Sequence, residues 1–475
     1  MMLGQRGDKF MNDAKNELNE KLIIELMKKY NDDLFPMYVE FPHKSFWSEK
    51  LKEEDYKNAL KNLFSTDYKK KAPLLLYVHI PYCPKQCWFC ICYSKVTKDY
   101  EQVKRYLDYL FREIDMLKKF FDENGITPNF HDIHLGGGSP TYLKEEDFDS
   151  LIEKLKSIVD FKNIREFTIE IDPRAVTGET LKYYHSKGIN RISLGIQDFD
   201  PEVQKAVNRI QPVELIEKLL TPEIRKNFSG VNFDILCGLP RQTRESFRKT
   251  IETVIKLSPD RICNVFVTYA TSYRKHQKLI KEKEVPDIYE RTILFYESVQ
   301  TLIKNGYVRI GFDHFAKSTD QLAKAFSNKS IHWNGLGYRA GEFMDTIGIG
   351  TSSASRVTPY YYSQNYYELP LYEKAIDEGK LPIYRGYKMN SNDVIRREII
   401  HTMRSFFSLD FHKIEQLYNI KFKEYFKKEL KTLQIFEKDN LLNVSDDMID
   451  ITELGKYFIY QICQVFDTYI PYKSK

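Results

Sequence analysis

The sequence predicts an α/β protein. Its centre reads as a parallel sheet with helices outside, closed completely or partly into a barrel, flanked by an N-terminal helical extension and a mainly helical C-terminal domain. Three observations carry this. Between residues 73 and 312, short apolar stretches alternate with amphipathic ones, the pattern of repeated strand–helix units. The apolar stretches are dense in Val, Ile, Leu and Phe, as strands buried on both faces require. Before and after this region the strand pattern gives way to helical periodicity.

Residues 1–70 read as a charged helical extension, with a loop at Phe35–Phe46 holding Pro36, Pro42 and several aromatics. Residues 71–378 form the barrel domain. Its candidate strands are Leu74–Ile80, Asp132–Leu135, Glu166–Ile171, Arg191–Ile196, Asn232–Leu236, Cys263–Thr268 and Val308–Phe312. Helical patterns between them include Val103–Phe120, Phe148–Val159 and Arg244–Leu257. His332–Thr358 is rich in Gly and small residues, and the five Tyr of Tyr360–Tyr367 read as packing beside a helix rather than as a pocket wall. Residues 379–475 form the C-terminal domain, with helices at Asn392–Phe406, Phe411–Leu417, Phe422–Leu433 and Leu454–Phe466 and a hairpin around Phe436–Ile451.

Composition narrows the function classes. The chain has 475 residues, 42% hydrophobic and 29% charged, enough to bury a large core. A net charge of +5 from 72 basic and 67 acidic residues makes no case for a nucleic-acid partner. No apolar run approaches the ~20 residues of a membrane helix. Met1–Lys29 lacks a signal-peptide core, so a cytoplasmic location is expected; a monomer is the expected state.

Seven Cys are present, and Cys83, Cys87, Cys90 and Cys92 fall within ten residues. In a reducing compartment such a knot reads as metal binding. The Cx3Cx2C spacing of Cys83, Cys87 and Cys90 lets a short loop wrap three corners of an iron–sulfur cluster, leaving one iron open to a chelating ligand. The alternative is zinc, with Cys92 or a His as fourth ligand. The loop follows Leu74–Ile80 and so sits at a strand's C-terminal end, where barrel active sites lie. Gly136-Gly-Gly-Ser-Pro-Thr141 follows the next strand. Its glycines let the backbone approach a ligand and offer N–H groups to a carboxylate, although a tight turn explains them equally. Glu170, Gln197 and Asp234 end strands, and Arg209 lies beyond the Gln197 loop; polar groups at strand ends read as site residues. Cys237, Cys263, Cys463, His79 and His134 read as core, and Lys427–Lys431 as a solvated helix face.

Tyr77-Val-His-Ile-Pro-Tyr-Cys83, followed by Cys87-Trp-Phe-Cys90-Ile-Cys92, resembles the oxygen-independent coproporphyrinogen III oxidases (dehydrogenases), which are radical S-adenosylmethionine (SAM) enzymes. His134-Leu-Gly-Gly-Gly-Ser-Pro-Thr141, Ile169-Glu-Ile-Asp-Pro-Arg174, Leu194-Gly-Ile-Gln-Asp-Phe199 and Val207-Asn-Arg-Ile-Gln211 extend the resemblance. So do Phe233-Asp-Ile-Leu-Cys-Gly-Leu-Pro240, Phe312-Asp-His-Phe-Ala-Lys317 and Phe466-Asp-Thr-Tyr469. The resemblance implies a partial (β/α) TIM-like barrel. It implies that Cys83, Cys87 and Cys90 bind a [4Fe–4S] cluster, with Cys92 a family marker and not a ligand. It also implies two SAM molecules. Tyr77, Gly137 and Glu170 match contacts to the SAM on the cluster. Gly138, Ser139, Gln197, Arg209 and Asp234 match the second, with Phe89 nearby and Ala354 touching through its backbone.

The implied reaction starts with one electron from a reduced flavodoxin- or ferredoxin-type donor. A 5′-deoxyadenosyl radical then attacks a tetrapyrrole, coproporphyrinogen III, whose two propionates become vinyl groups with loss of CO2. No catalytic side chain is assigned. Arg174, Arg191, Arg339 and Arg385 are candidates for holding propionates. Three segments depart from the family. Its Arg-Tyr-Thr-Ser-Tyr-Pro is Met37-Tyr-Val-Glu-Phe-Pro42 here, its Phe-Gln-Gly-Tyr-Thr-Thr is Gly335-Leu-Gly-Tyr-Arg-Ala340, and its Gly-Cys-Asn-Lys is Ile91-Cys-Tyr-Ser94. These changes keep two alternatives open: a radical SAM methyltransferase or other tetrapyrrole-modifying enzyme, and a haem-binding delivery protein.

Overall fold

The computed structural model describes residues 20–30, 40–65, 71–341, 344–357 and 361–472. Residues 37–39 of the divergent Met37–Pro42 segment and Tyr360 lie outside the described residues.

Twelve strands build the main sheet: β1 (Leu74–Ile80), β2 (Phe130–Gly137), β3 (Glu166–Ile171), β4 (Arg191–Gln197), β5 (Gly230–Cys237), β6 (Arg261–Phe266), β7 (Tyr307–Ile310), β8 (His314–Lys317), β9 (Asp345–Ile349), β10 (Ala354–Val357), β11 (Tyr361–Asn365) and β12 (Ile383–Lys388). The order is β12-β11-β10-β9-β1-β2-β3-β4-β5-β6-β8-β7. From β9 through β1 to β6 every neighbour is parallel. Both flanks are antiparallel. β7 and β12 end the order without pairing to each other, so the barrel is partial.

The parallel arc forms because its strands are apolar on both sides: all seven residues of β1 and all five of β9 are buried. Helices cover the outside. In Glu101–Glu123, Val103, Leu107, Leu110, Ile114, Leu117 and Phe121 recur every three or four residues and are buried, so one stripe faces the sheet. Arg244–Leu257 is bounded by Thr243, whose hydroxyl accepts from the Ser246 N–H at 3.1 Å, and by Ser258 in the left-handed region.

Three sequence expectations change. Val308–Phe312 is not another parallel strand. β7 turns straight into β8 and pairs antiparallel with it, because the short link cannot carry a crossover helix. His332–Thr358 holds β9, β10 and all but the first residue of a hairpin of Ile331–Trp333 with Tyr338–Ala340. The Tyr run is a strand, not helix-side packing: β11 is buried along its whole length, and Tyr362 stacks on Trp47 at 5.2 Å. The sheet therefore continues past residue 378 to Lys388.

Beyond it, helices Ser391–Phe406, Phe411–Tyr418, Lys427–Lys438 and Ile459–Gln464 surround a three-stranded sheet of Ser408–Asp410, Met448–Ile451 and Leu442–Val444. The last two are the expected hairpin, while Phe436 belongs to the preceding helix. The N-terminal extension is fastened at both levels. Tyr30, in the helix at 20–30, stacks on Phe436 at 4.6 Å. Ser48 bridges to Gly386 of β12 through two backbone hydrogen bonds, of 2.7 and 3.0 Å. Among the described residues no helix is long and apolar enough to cross a membrane.

Candidate active site

The C-terminal ends of β1 to β5 surround a cavity of about 290 Å³. After β1 the chain makes the cysteine loop. Tyr82–Cys83 pairs parallel with Lys95–Val96, which closes the loop on itself. Inside it the Cys90 N–H donates to the Cys87 carbonyl at 3.2 Å. Cys83, Cys87, Phe89 and Cys90 line one side of the cavity, with Cys92 beside them. Burial pushes the Cys83 thiol up to about 12.

Cys87 has two cationic neighbours. Arg174 Nη2 and Arg209 Nη1 each lie 3.3 Å from its sulfur. Both guanidiniums also bind Asp172, Arg174 at 2.6 Å and Arg209 at 3.4 Å. Asp172 feels burial pushing its pKa up, but the Arg174 hydrogen bond and the Arg209 charge outweigh this and hold it below the usual range. Two guanidiniums thus aim donors at one sulfur.

The opposite wall is the glycine loop. Gly137 has φ +114°, and a Cβ there would lie 2.6 Å from the His79 ring. A Cβ on Gly136 would lie 2.7 Å from Glu170 Oε1. Gly137 therefore needs glycine, while a Cβ at position 136 would push the Glu170 carboxylate aside. Glu170 accepts from the Gly137 N–H at 3.2 Å and from His134 Nε2 at 2.9 Å. Arg339 Nη2 lies 3.1 Å from His134 Nδ1. Arginine can only donate, so Nδ1 accepts and the ring proton sits on Nε2, facing Glu170. Burial pushes the Glu170 pKa up, yet the hydrogen bonds from His134 and the Gly137 N–H bring it net below the usual range.

A second polar set continues the row. Asp234 accepts from Ser193 Oγ at 3.1 Å, and burial together with the Glu170 charge pushes its pKa to about 6. Between Gly195 and Gln197 the β4–β5 register shifts, and Gln197 adopts φ +68°. That bulge turns the Gln197 side chain into the cavity at a cost of about 1 kcal/mol of backbone strain. Arg209 is buried, and its Nη2 donates to the Gly195 carbonyl at 2.7 Å. Its Nε is buried without a hydrogen-bond partner among the described residues.

Of the residues predicted from sequence, Cys83, Cys87, Phe89, Cys90, Gly137, Gly138, Ser139, Glu170, Gln197, Arg209 and Asp234 meet in this one cavity. Tyr77 and Ala354 do not line it. Tyr77 is buried on β1, its hydroxyl 3.0 Å from His79 Nδ1. Ala354 lies on β10, and its carbonyl would be 2.6 Å from a Cβ on Gly348 of β9. Sequence reasoning missed Asp172 and Arg174 as partners of the cysteine loop, and Ser193 as a partner of Asp234. The alternation Ser193, Gly195, Gln197 along β4 is a period-two signal that points to a polar inner face. His134, read as core, is buried but engages Glu170. Of the four propionate candidates, Arg191 starts β4 at the far end of the sheet and pairs with Glu166 at 3.1 Å and Asp320 at 3.1 Å, so it is structural. Arg339 binds Glu166 as well as His134, and Arg174 serves Asp172 and Cys87. Arg385, half-buried, binds Gln364 through Nε and has no ion pair among the described residues.

Two family models match the chain: the radical SAM superfamily over residues 77–254 and the HemN C-terminal domain over residues 389–458. A Helicobacter pylori protein named oxygen-independent coproporphyrinogen III oxidase is 36% identical over 436 residues, spanning 92% of this chain and 94% of its own. The chain belongs to the oxygen-independent coproporphyrinogen III oxidase family.

Its namesake in Escherichia coli K12 is 35% identical, over 95% of this chain and 96% of that one. The solved structure of coproporphyrinogen III oxidase (HemN) from Escherichia coli, described as a radical SAM enzyme, matches with a TM-score of 0.85 at 34% identity. The match covers 91% of this chain and 97% of that chain. As a member of this radical SAM family the protein uses a [4Fe–4S] cluster and SAM. The residues present fit both groups. Three thiols share one cavity wall, while no three His, Cys, Asp or Glu side chains among the described residues converge on a single-ion position. A multi-iron cluster, with one thiolate per iron, suits that spread better than zinc does. The orphaned Arg209 Nε suits a carboxylate ligand.

Proposed function

We propose that this chain oxidatively decarboxylates coproporphyrinogen III to protoporphyrinogen IX in haem biosynthesis. The observation that carries this is the single cavity in which three cysteines face the glycine loop, Glu170, Gln197, Arg209 and Asp234. When bound, the cluster would supply one electron to split SAM into methionine and a 5′-deoxyadenosyl radical; each propionate then gives up one hydrogen atom to that radical, releases CO2 and passes one electron to a one-electron acceptor. The chain's own residues hold and orient. Cys83, Cys87 and Cys90 would hold the cluster, and Arg174 and Arg209 donate to the Cys87 sulfur. Glu170 and Gly137 hold the SAM on the cluster. Gly138, Ser139, Gln197, Arg209 and Asp234 hold a second SAM. Arg385 is the candidate left for a propionate, because no carboxylate among the described residues already occupies it, although it does not line the cavity. A flavodoxin- or ferredoxin-type protein supplies the electron, and the enzyme works as a cytoplasmic monomer.

The test is anaerobic reconstitution with iron and sulfide, reduction with dithionite, and product analysis by chromatography and mass spectrometry with coproporphyrinogen III and SAM. Loss of two CO2 per porphyrinogen is the expected result. Cleavage of SAM with the porphyrinogen intact overturns the substrate assignment. S-adenosylhomocysteine with a methylated product would assign methyl transfer instead, the outcome to which the divergent Gly335–Ala340 segment bears.

A further inference from the structure

One segment clamps the cysteine loop from outside. In and beside the 3-10 turn Lys275–Leu279, three side chains bind three consecutive loop carbonyls. Gln277 Nε2 donates to Phe89 at 2.8 Å, His276 Nε2 to Cys90 at 2.7 Å and Arg274 Nε to Ile91 at 3.0 Å. Gln277 is buried and is itself fixed, accepting from the Ala270 N–H at 2.6 Å and donating to the Thr268 carbonyl at 3.0 Å. The Arg274 guanidinium lies 4.5 Å over the Tyr93 ring. Segment and loop are thus one surface.

That surface is apolar at its centre. Tyr273 is 65% exposed, Leu279 57% and Ile91, next to Cys90, 42%. Along the two segments themselves the charge is one-sided, with Glu282 beside Lys278 just beyond them. Residues 83–98 and 273–280 together carry six Lys or Arg (85, 95, 98, 274, 275 and 278) and no Asp or Glu. Their +6 exceeds the +5 of the whole chain, so the remainder of the molecule is slightly acidic. A local excess of this kind steers an oppositely charged partner.

We propose that this face docks an acidic one-electron carrier protein, with Tyr273, Leu279 and Ile91 as the apolar contact and Lys275 and Lys278 in the steering rim. This rests on the radical SAM reading of the cavity, which requires one electron from outside per SAM cleaved. Cys90 lies one residue from the exposed Ile91, so a carrier seated here comes close to the cysteine cavity without opening it. Electron-transfer encounters are small and transient, and a few exposed apolar residues ringed by charge suit them.

The test measures 5′-deoxyadenosine formation by the reconstituted full-length enzyme, driven either by reduced flavodoxin or by dithionite. In K275E/K278E the flavodoxin concentration for half-maximal rate should rise about tenfold or more, and its dependence on salt should flatten. In Y273A/L279A it should also rise, with the salt dependence kept. Dithionite-driven rates should stay at the wild-type level in both variants, since none of these four side chains lines the cavity. Unchanged flavodoxin-driven rates in both variants overturn the proposal, and so does an equal loss with both reductants. If neither reduced flavodoxin nor reduced ferredoxin drives the wild type while dithionite does, docking at this face is wrong and the radical SAM reading stands. If dithionite also fails, the reading of the cavity itself is wrong.

Discussion

His134 donates its Nε2 hydrogen to Glu170 Oε1 across 2.9 Å, and Arg339 fixes the tautomer that makes this possible. The glycine loop thus faces a carboxylate held in place and held ionised. In H134F the favourable hydrogen bond is lost while burial still pushes the Glu170 pKa up. SAM affinity should fall about tenfold or more, the scale of a hydrogen bond to a charged group. The acidic limb of SAM binding should also move to higher pH. Calorimetric titration of SAM from pH 4 to 8 checks both, and equal pH profiles in wild type and variant would refute the role of His134.

Asp234 predicts the opposite pH behaviour. Its carboxyl is raised to about 6 in the folded state, against 3.8 for an ordinary aspartate. A raised acid favours folding at low pH, where both states are protonated, and loses that advantage as pH climbs through about 4 to 6. D234N cannot ionise and keeps an acceptor for Ser193. Its melting temperature should match the wild type near pH 4 and exceed it at pH 8. A gap that shrinks with rising pH would contradict the raised pKa.

The guanidiniums on Cys87 predict a graded loss of cluster. R174Q removes one of two donors to the sulfur and should lower iron retained after desalting, without abolishing it. C87A should abolish it, and C92S should retain iron and sulfide near the wild-type level. Iron and sulfide analysis with electron paramagnetic resonance of the reduced protein reads all three. Full loss of iron in C92S would make Cys92 a ligand.

Glu40 and Arg356 form an ion pair in which both side chains are buried, at 3% and 5% exposure. Removing one partner strands a charge, so E40A should destabilise the fold by about 3–5 kcal/mol. The double variant E40L/R356M should recover most of the loss. Chemical denaturation midpoints compare the set, and a double variant as unstable as E40A would show that Arg356 has another essential partner.

How much of this was readable in the sequence depended on where the signal lay. β1 to β6 were legible because strands buried on both faces are apolar in themselves. β11 was not: Tyr361-Tyr-Ser-Gln-Asn365 is polar in composition, and partners distant in sequence, such as Trp47, cover it. The Cys loop announces itself within ten residues. Arg174 does not, since its bond to Cys87 joins positions 87 residues apart. His134 resembled core because the strand around it is apolar, and only its approach to Glu170 gives it a role.

The bridge between Ser48 and Gly386 has a consequence for handling the molecule. β12 is the last strand of a twelve-stranded sheet, and an uncovered last strand is a template for another chain. Ser48 satisfies both the N–H and the carbonyl of Gly386, midway along that strand. The N-terminal extension therefore acts as a guard against self-association. Nicking or trimming the chain before residue 65 would cost solubility before it cost any part of the cavity.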